Sequence, residues 1–400
     1  MLSASCGMFR SAAGATPTGA GAVTLTPPRE DPGGLVLAVA TATAGASSPP
    51  AGSMPAALGD PIRDALLDAY RSLEHLQEGK NADYAPSLTQ ADPNLYGLAL
   101  VTVQGAVYEI GSSRHEFPIA AVSKPFATAR AIDTAGAEAV RKRVGLNATG
   151  QRVDSILAVE LGRRAPAGNS LTDAGAMATI DLMKPGAGMD KWNTLLGNLQ
   201  AFAGRILKVD EEVYRSATEA NFEARALAGI LKRDDVIKGD PNEALDLAAR
   251  QEAVGVDTRD LAIMGATLAN GGRNPVTDVQ VVTSLTAEKV LALLSTAGLA
   301  EASGDWLFEV GAPGSSGVTG GFLAVVPGRF AVASFSPPLD ADGNSVRGQR
   351  ALAAIVQRLG GSLFAVHAAP RAARTGADDL PLDPARDSAA LPRTPMAGKL

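Results

Sequence analysis

Cysteine is all but missing from the 400 residues. Cys6 stands alone, which excludes an internal disulfide framework and a cysteine zinc site and suits a reducing cytoplasm. Aromatic residues make up only 4 % of the chain, so a core has to be assembled from Ala, Leu, Val and Ile. Histidine is nearly as scarce: His75, His115 and His367 have no metal-ligand spacing among them. No carboxylate cluster supports a cation site either, and the sequence calls for no cofactor. A basic cluster is also lacking, and the net charge of −6 argues against a nucleic-acid surface. No apolar run approaches the roughly 18 residues of a membrane span. The nearest candidate, LVLAVATATAGA (35–46), is short and ends in SSPP; it reads as a flexible leader rather than a targeting signal. A cytoplasmic protein is expected, with neither nucleic acid nor membrane among its partners.

What is present is 46 % hydrophobic residues, enough for one large domain or two. Residues 1–58 are rich in Ala, Gly, Pro, Ser and Thr without a sustained period and are expected to be disordered; Met54 is a second candidate start. The tail, 366–400, has the same character. Between them lies a folded part over 59–365. Its first helix is expected from the N-cap Asp60 and Pro61 to a stop at Gly79, with Ile62, Ala65, Leu66, Ala69, Tyr70, Leu73 and Leu76 on one stripe. Two strands, 96–103 and 106–112, flank a turn at Gln104 and Gly105. An alanine-rich helix carrying Lys124 is expected to run to about 144. Residues 146–300 read mostly as helices and loops, the clearest being 260–272, ending at Gly271 and Gly272. Strand patterns return over 316–338, with a hairpin at Pro327–Arg329. A last helix follows at about 346–359. This order predicts an α+β domain whose antiparallel sheet is built from both ends of the domain around a helical subdomain (about 146–300). The glycine pairs at 271–272 and 320–321 read as turns, since no Gly-Lys-Ser/Thr follows to make a phosphate loop.

The stretch FPIAAVSKPF (117–126) carries the chemical question. Residues three apart on a helix share a face. A serine at 121 would stand beside Lys124, which would accept its proton, the nucleophile arrangement of Ser-x-x-Lys enzymes. Here residue 121 is alanine. Ser123, next to Lys124, points about 100° away on a helix and reads as a solvated or helix-packing residue. His75 and His115 read as surface residues.

Beyond this stretch the chain resembles the serine-dependent glutaminases, which share the β-lactamase and penicillin-binding-protein fold. The motifs that carry the resemblance are GKNADYAP (79–86), DPNLYGLALVTVQGAVYEIG (92–111), FPIAAVSKPF, DAGAMAT (173–179), RDLAIMGATLANGGRNP (259–275), SGVTGG (316–321) and SPPLDADGNSVRG (336–348). They occur in family order over about 79–348. The resemblance implies hydrolysis of L-glutamine to L-glutamate and ammonia through a glutamyl ester on serine, with backbone N–H groups holding the oxyanion.

Carried over position by position, the resemblance implies catalytic places at Tyr84 and Lys124, both retained, and at Ala121, where the nucleophile is lost. Among substrate-binding places, Asp173 stands for asparagine, and Ser316 and Val318 are kept after Ser315 has replaced a lysine. Ala217, Ala224, Ala248 and Ala300 stand where the family has glutamate, asparagine and two tyrosines. The implied protein keeps the scaffold without the chemistry, with a wider and less polar pocket for a glutamine-like or altered small molecule. It is expected to be a homo-oligomer. Lys124 is expected either on a water-filled pocket wall or, in the favoured reading, paired with Asp173. Two alternatives stay open: an active amidohydrolase rearranged around Ser316, Lys124 and Tyr84, and a non-catalytic binding or interaction module.

Overall fold

The computed structural model describes residues 60–83, 86–162, 167–186, 190–219 and 221–366, together with the backbone of Val36–Ala38. The chain divides into two units, 1–363 and 364–400, and of the second only Phe364–Val366 are described. The remaining leader and tail residues, His367 among them, lie outside the described residues.

Eight strands are present among the described residues: β1 (Val36–Ala38), β2 (Gly97–Thr102), β3 (Val107–Gly111), β4 (Phe117–Pro118), β5 (Gly255–Val256), β6 (Gly314–Ser316), β7 (Gly321–Val326) and β8 (Phe330–Phe335). Six form one antiparallel sheet in the order β1-β3-β2-β8-β7-β6. The N-terminal hairpin and the C-terminal strands meet at β2 and β8, with Ala99 opposite Ala333. The α+β architecture expected from the sequence is therefore the one observed. β1 corrects the reading of the leader as wholly disordered. The Val-Leu-Ala backbone satisfies the open edge of β3, with Leu37 opposite Tyr108, where unpaired N–H and C=O groups otherwise face solvent.

β2, β7 and β8 are buried along their whole length, because helices cover both faces. Alternate residues divide between two cores. Leu98 and Leu100 face the first and last helices, Pro61–Leu73 and Val346–Arg358. Ala99 and Val101 face the Thr258–Ala269 helix. That helix approaches the sheet closely at Gly265, where a Cβ would stand 2.6 Å from Leu323 Cδ1 and 2.8 Å from Ala331 Cβ. Small side chains on both surfaces allow a core with few aromatics.

Two helices differ from expectation. Asp60 caps the first helix as read, accepting from Ile62 N at 3.0 Å, but the helix ends at Leu73 rather than near Gly79. Gly79 instead serves a close backbone approach: at φ +96°, a Cβ there would lie 2.6 Å from Leu339 O. The helix carrying Lys124 spans only Lys124–Ala135. It breaks at Gly136 (φ +96°) and restarts as Ala137–Arg143, because an extended left-handed glycine cannot continue an α-helix.

The Lys124–Ala135 helix joins two cores. Phe126 and Ala129 pack into the sheet-side core. Ala127 and Ala131 pack with Met177, Ile180, Leu195 and Leu231 of an all-helical region. Lys124, at its first turn, thus stands where the two regions meet.

Asp257 caps the Thr258–Ala269 helix: its Oδ1 accepts Asp260 N at 2.7 Å, and Asp260 Oδ2 accepts Asp257 N at 2.9 Å. Burial and the nearby Asp260 push the Asp257 carboxyl up to about 6, although Arg114 and Arg205 pull the other way. A folded pKa above the unfolded value means the native state holds more protons between roughly pH 4 and 6. Stability from this group is therefore present below about pH 4 and is lost as pH rises through 6. Asp257→Asn keeps the capping oxygen and removes the charge. The variant is expected to gain about 1–3 kcal/mol relative to the parent between pH 4 and pH 7, read by urea denaturation of both at the two pH values. A constant difference would contradict it.

Candidate functional site

The site begins at a strained turn. Ala120, at φ +50°, opens the 3-10 turn Ala120–Ser123 that leads into Lys124. A non-glycine residue held there costs on the order of 1 kcal/mol and persists only where its surroundings enforce it. Here β4 pairs with β5 just upstream, with Phe117 opposite Val256, and Ile119 N donates to Val254 O at 2.8 Å. The same pairing brings the end of the Pro241–Glu252 helix against the turn. Gln251 Nε2 donates to Ser123 Oγ at 2.7 Å, and Ser123 Oγ donates to Ala120 O at 2.6 Å. Ser123 is therefore a fully buried packing residue and not a solvated one.

Lys124 is 2 % exposed and clamped between two carboxylates. Its Nζ lies 2.5 Å from Asp173 Oδ1 and 3.3 Å from Glu252 Oε1. Burial by itself pulls the ammonium's pKa down; Asp173 and Glu252 outweigh it and raise the pKa above the ordinary lysine value. Glu252 moves the other way from an ordinary salt-bridge carboxylate. Burial raises its pKa, Lys124 lowers it, and the Asp173 charge raises it further.

Asp173 is held by its own local structure. It opens the Asp173–Leu182 helix behind the N-cap Thr172, whose Oγ1 accepts Gly175 N at 2.9 Å. A carboxylate in a first turn is favoured by the helix dipole. The glycine in this Asp-Ala-Gly sequence is obligatory. A Cβ on Gly175 would stand 1.7 Å from Asn169 O, so backbone must move. Gly175→Ala is expected to cost about 3 kcal/mol or more, beyond the usual overpacking range, and to displace Asp173. A melting temperature within a degree of the parent would contradict this.

Asp173, Ala217, Ala224, Ala248 and Glu252 line one open cleft, together with Asn221, Met177 and Leu245. Four helices contribute to it: Asp173–Leu182, Glu211–Glu219, Phe222–Arg233 and Pro241–Glu252. Positions scattered over 80 residues of sequence are thus brought together beside Lys124. Ala300 is not among them. At φ +51° it lines a separate, water-sized pocket with Thr149, Leu171, Thr172 and Ala297.

Ser316 ends β6, and its Oγ is buried without a partner among the described residues. Ser315 is buried beside it. The next residue, Gly317, packs on the strained turn, where its Cβ would meet Val122 Cγ2 at 3.2 Å and Ala120 Cβ at 3.3 Å. Val318 is partly exposed beyond it. Tyr84 lies outside the described residues. His115 is exposed and stacks on Phe335 at 5.4 Å between ring centroids, and His75 is exposed.

Sequence reading missed Glu252. The signal available was its spacing: four residues after Ala248 on one helix, it shares that residue's face.

An antiparallel sheet covered on both faces, with a lysine in a first helical turn at the junction with a helical region, defines a protein of the β-lactamase-like fold. The Glutaminase family model matches residues 79–364, and the chain belongs to that family. It is 42 % identical to the glutaminase of Mycobacterium ulcerans over 305 residues, 76 % of this chain and 95 % of that protein. It is equally 42 % identical to the glutaminase of Colwellia psychrerythraea, covering 97 % of it. Among solved structures, probable glutaminase ybaS superposes with a TM-score of 0.74 at 39 % identity, over 76 % of this chain and 99 % of that one. A probable glutaminase of Bacillus subtilis gives 0.68 at 26 % identity, over 76 % and 96 %. No helix among the described residues is long and apolar enough to cross a membrane.

Proposed function

We propose that this glutaminase-family protein does not hydrolyse glutamine and retains its cleft for binding. The observation that carries the reading is the Lys124 clamp beside Ala121. A general base must offer a free lone pair within reach of the proton it takes. Lys124 is held as an ammonium by Asp173 and Glu252, and no hydroxyl stands at 121 to be activated. Ala217 and Ala224 offer no charge or carboxamide to the ends of an amino acid. A rearranged site using Ser316 gains no support, since Lys124 is committed elsewhere and the Ser316 hydroxyl is buried.

The test is ammonia release from L-glutamine by the purified chain. None above a protein-free blank is expected from the parent or from Ala121→Ser. Release by the parent would overturn the reading; release by Ala121→Ser alone would show that Lys124 is not locked.

A further inference from the structure

Two energetic costs meet at the turn that leads into Lys124. Ala120 is held at φ +50°, a conformation that residues with a side chain rarely adopt. Gln251, 1 % exposed, donates its Nε2–H to Ser123 Oγ at 2.7 Å, but its Oε1 is buried with no hydrogen-bond partner among the described residues. An unpartnered amide oxygen in the interior opposes folding, and a methionine would fill nearly the same space without it. Packing therefore gives no reason for a glutamine at 251. Strain and unpartnered polar atoms of this kind gather where a structure has to hold a particular geometry.

The backbone pairing upstream stops short of the turn, at the bond from Ile119 N to Val254 O. Beyond it, Gln251 is the one side chain from another element that hydrogen-bonds residues 120–123, among the described residues. Its contacts run in step with those of its neighbour. Gln251 meets Ser123, and the next residue, Glu252, meets Lys124. Ser123 Oγ passes the tie on by donating to Ala120 O at 2.6 Å. A hydroxyl that accepts one hydrogen bond donates the next more strongly, so the amide reinforces closure of the turn. The strain at Ala120 and one buried hydrogen bond are of similar size and opposite sign, so loss of the amide tips the balance. We propose that Gln251 is the positioning residue of this site: through Ser123 it keeps the turn in its strained form, and so keeps Lys124 between Asp173 and Glu252. The proposal concerns the placement of Lys124 and stands whether or not the cleft turns over glutamine.

The experiment reads Lys124 directly, by the nitrogen–proton NMR signal of its side-chain ammonium in the full chain, assigned by its absence from Lys124→Met. Gln251→Met keeps the volume and removes both the donor and the unpartnered oxygen. Its melting temperature is expected to stay close to the parent's, yet the Lys124 signal is expected to be displaced or lost, because the ammonium no longer rests on both carboxylates. Gln251→Leu, read in the same way, is expected to agree. Adding Ala120→Gly to Gln251→Met relieves the strain, since glycine takes positive φ freely, and is expected to restore the signal. Ile355→Val, in the separate core beneath the last helix, lowers stability away from the site and is expected to leave the signal in place. A signal unmoved in both Gln251 variants, moved as much by Ile355→Val, or not restored by Ala120→Gly would assign Gln251 to packing and overturn the proposal.

Discussion

Neutralising both partners of Lys124, Asp173→Asn together with Glu252→Gln, is expected to lower stability at pH 7 by about 3–5 kcal/mol. The lysine is almost fully buried, and an ammonium left there without a countercharge retains its desolvation cost. Glu252→Gln alone leaves the 2.5 Å contact to Asp173 in place and is expected to cost no more than about 1 kcal/mol. Lys124→Met is also expected to be milder than the double change, because Asp173 is a third exposed and keeps water, and Glu252, whose pKa burial already raises, takes up a proton instead of staying charged.

The pH dependence provides the sign. In the parent, the folded pKa of Lys124 lies above its ordinary value. Its contribution is complete below that ordinary value and is lost only as pH rises through the folded one. In the double variant the partners are gone and burial pulls the pKa below the ordinary value. The unfolded chain then binds more protons than the native one, so stability rises with pH toward about 10. Guanidinium denaturation at pH 7 and pH 9.5 reads both effects. A double variant that loses stability equally at both values, or loses none, would show that the lysine does not depend on the clamp.

Rebuilding the reaction is expected to need several changes together. Loss of a nucleophilic serine alone is worth about 10⁶ in kcat in a well-studied serine hydrolase, where removing one member of the machinery costs nearly as much as removing all. The same interdependence applies here. Ala121→Ser supplies the oxygen but not a base. Adding Asp173→Asn and Glu252→Gln frees the lysine, and the introduced hydroxyl then becomes its partner. Ala217→Glu, Ala224→Asn and Ala248→Tyr restore polar groups to the cleft. Ammonia release is expected only from the combined variant, with each subset silent. Turnover by the subset that leaves 217 and 224 as alanine would show that these positions do not hold the amino acid's ends.

Much of this was legible in the chain. The apolar runs of β2, β7 and β8, the cap at Asp60 and the hairpin turns are local signals, and the elements formed where those signals lie. The order of the glutaminase motifs, the alanine at 121 and the pairing of Asp173 with Lys124 were also accessible, because each depends on a motif or on the need of a buried charge for a partner. Helix ends were less so. Gly79 and Gly136 look alike as punctuation, yet one lies beyond its helix pressed on Leu339 and the other divides a helix in two. Which role a glycine takes depends on what approaches it.

Tertiary structure alone decided three things. It placed Glu252 on Lys124, because the pairing of β4 with β5 draws a helix end from 128 residues away against the strained turn. It gathered Ala217, Ala224 and Ala248 around one cleft and left Ala300 on another. It brought to the cleft floor a second carboxylate, Glu252, that no motif marks. Sequence specifies local conformation and residue chemistry; which charges share a low-dielectric floor is fixed only by long-range packing, and that determines what the cleft can hold.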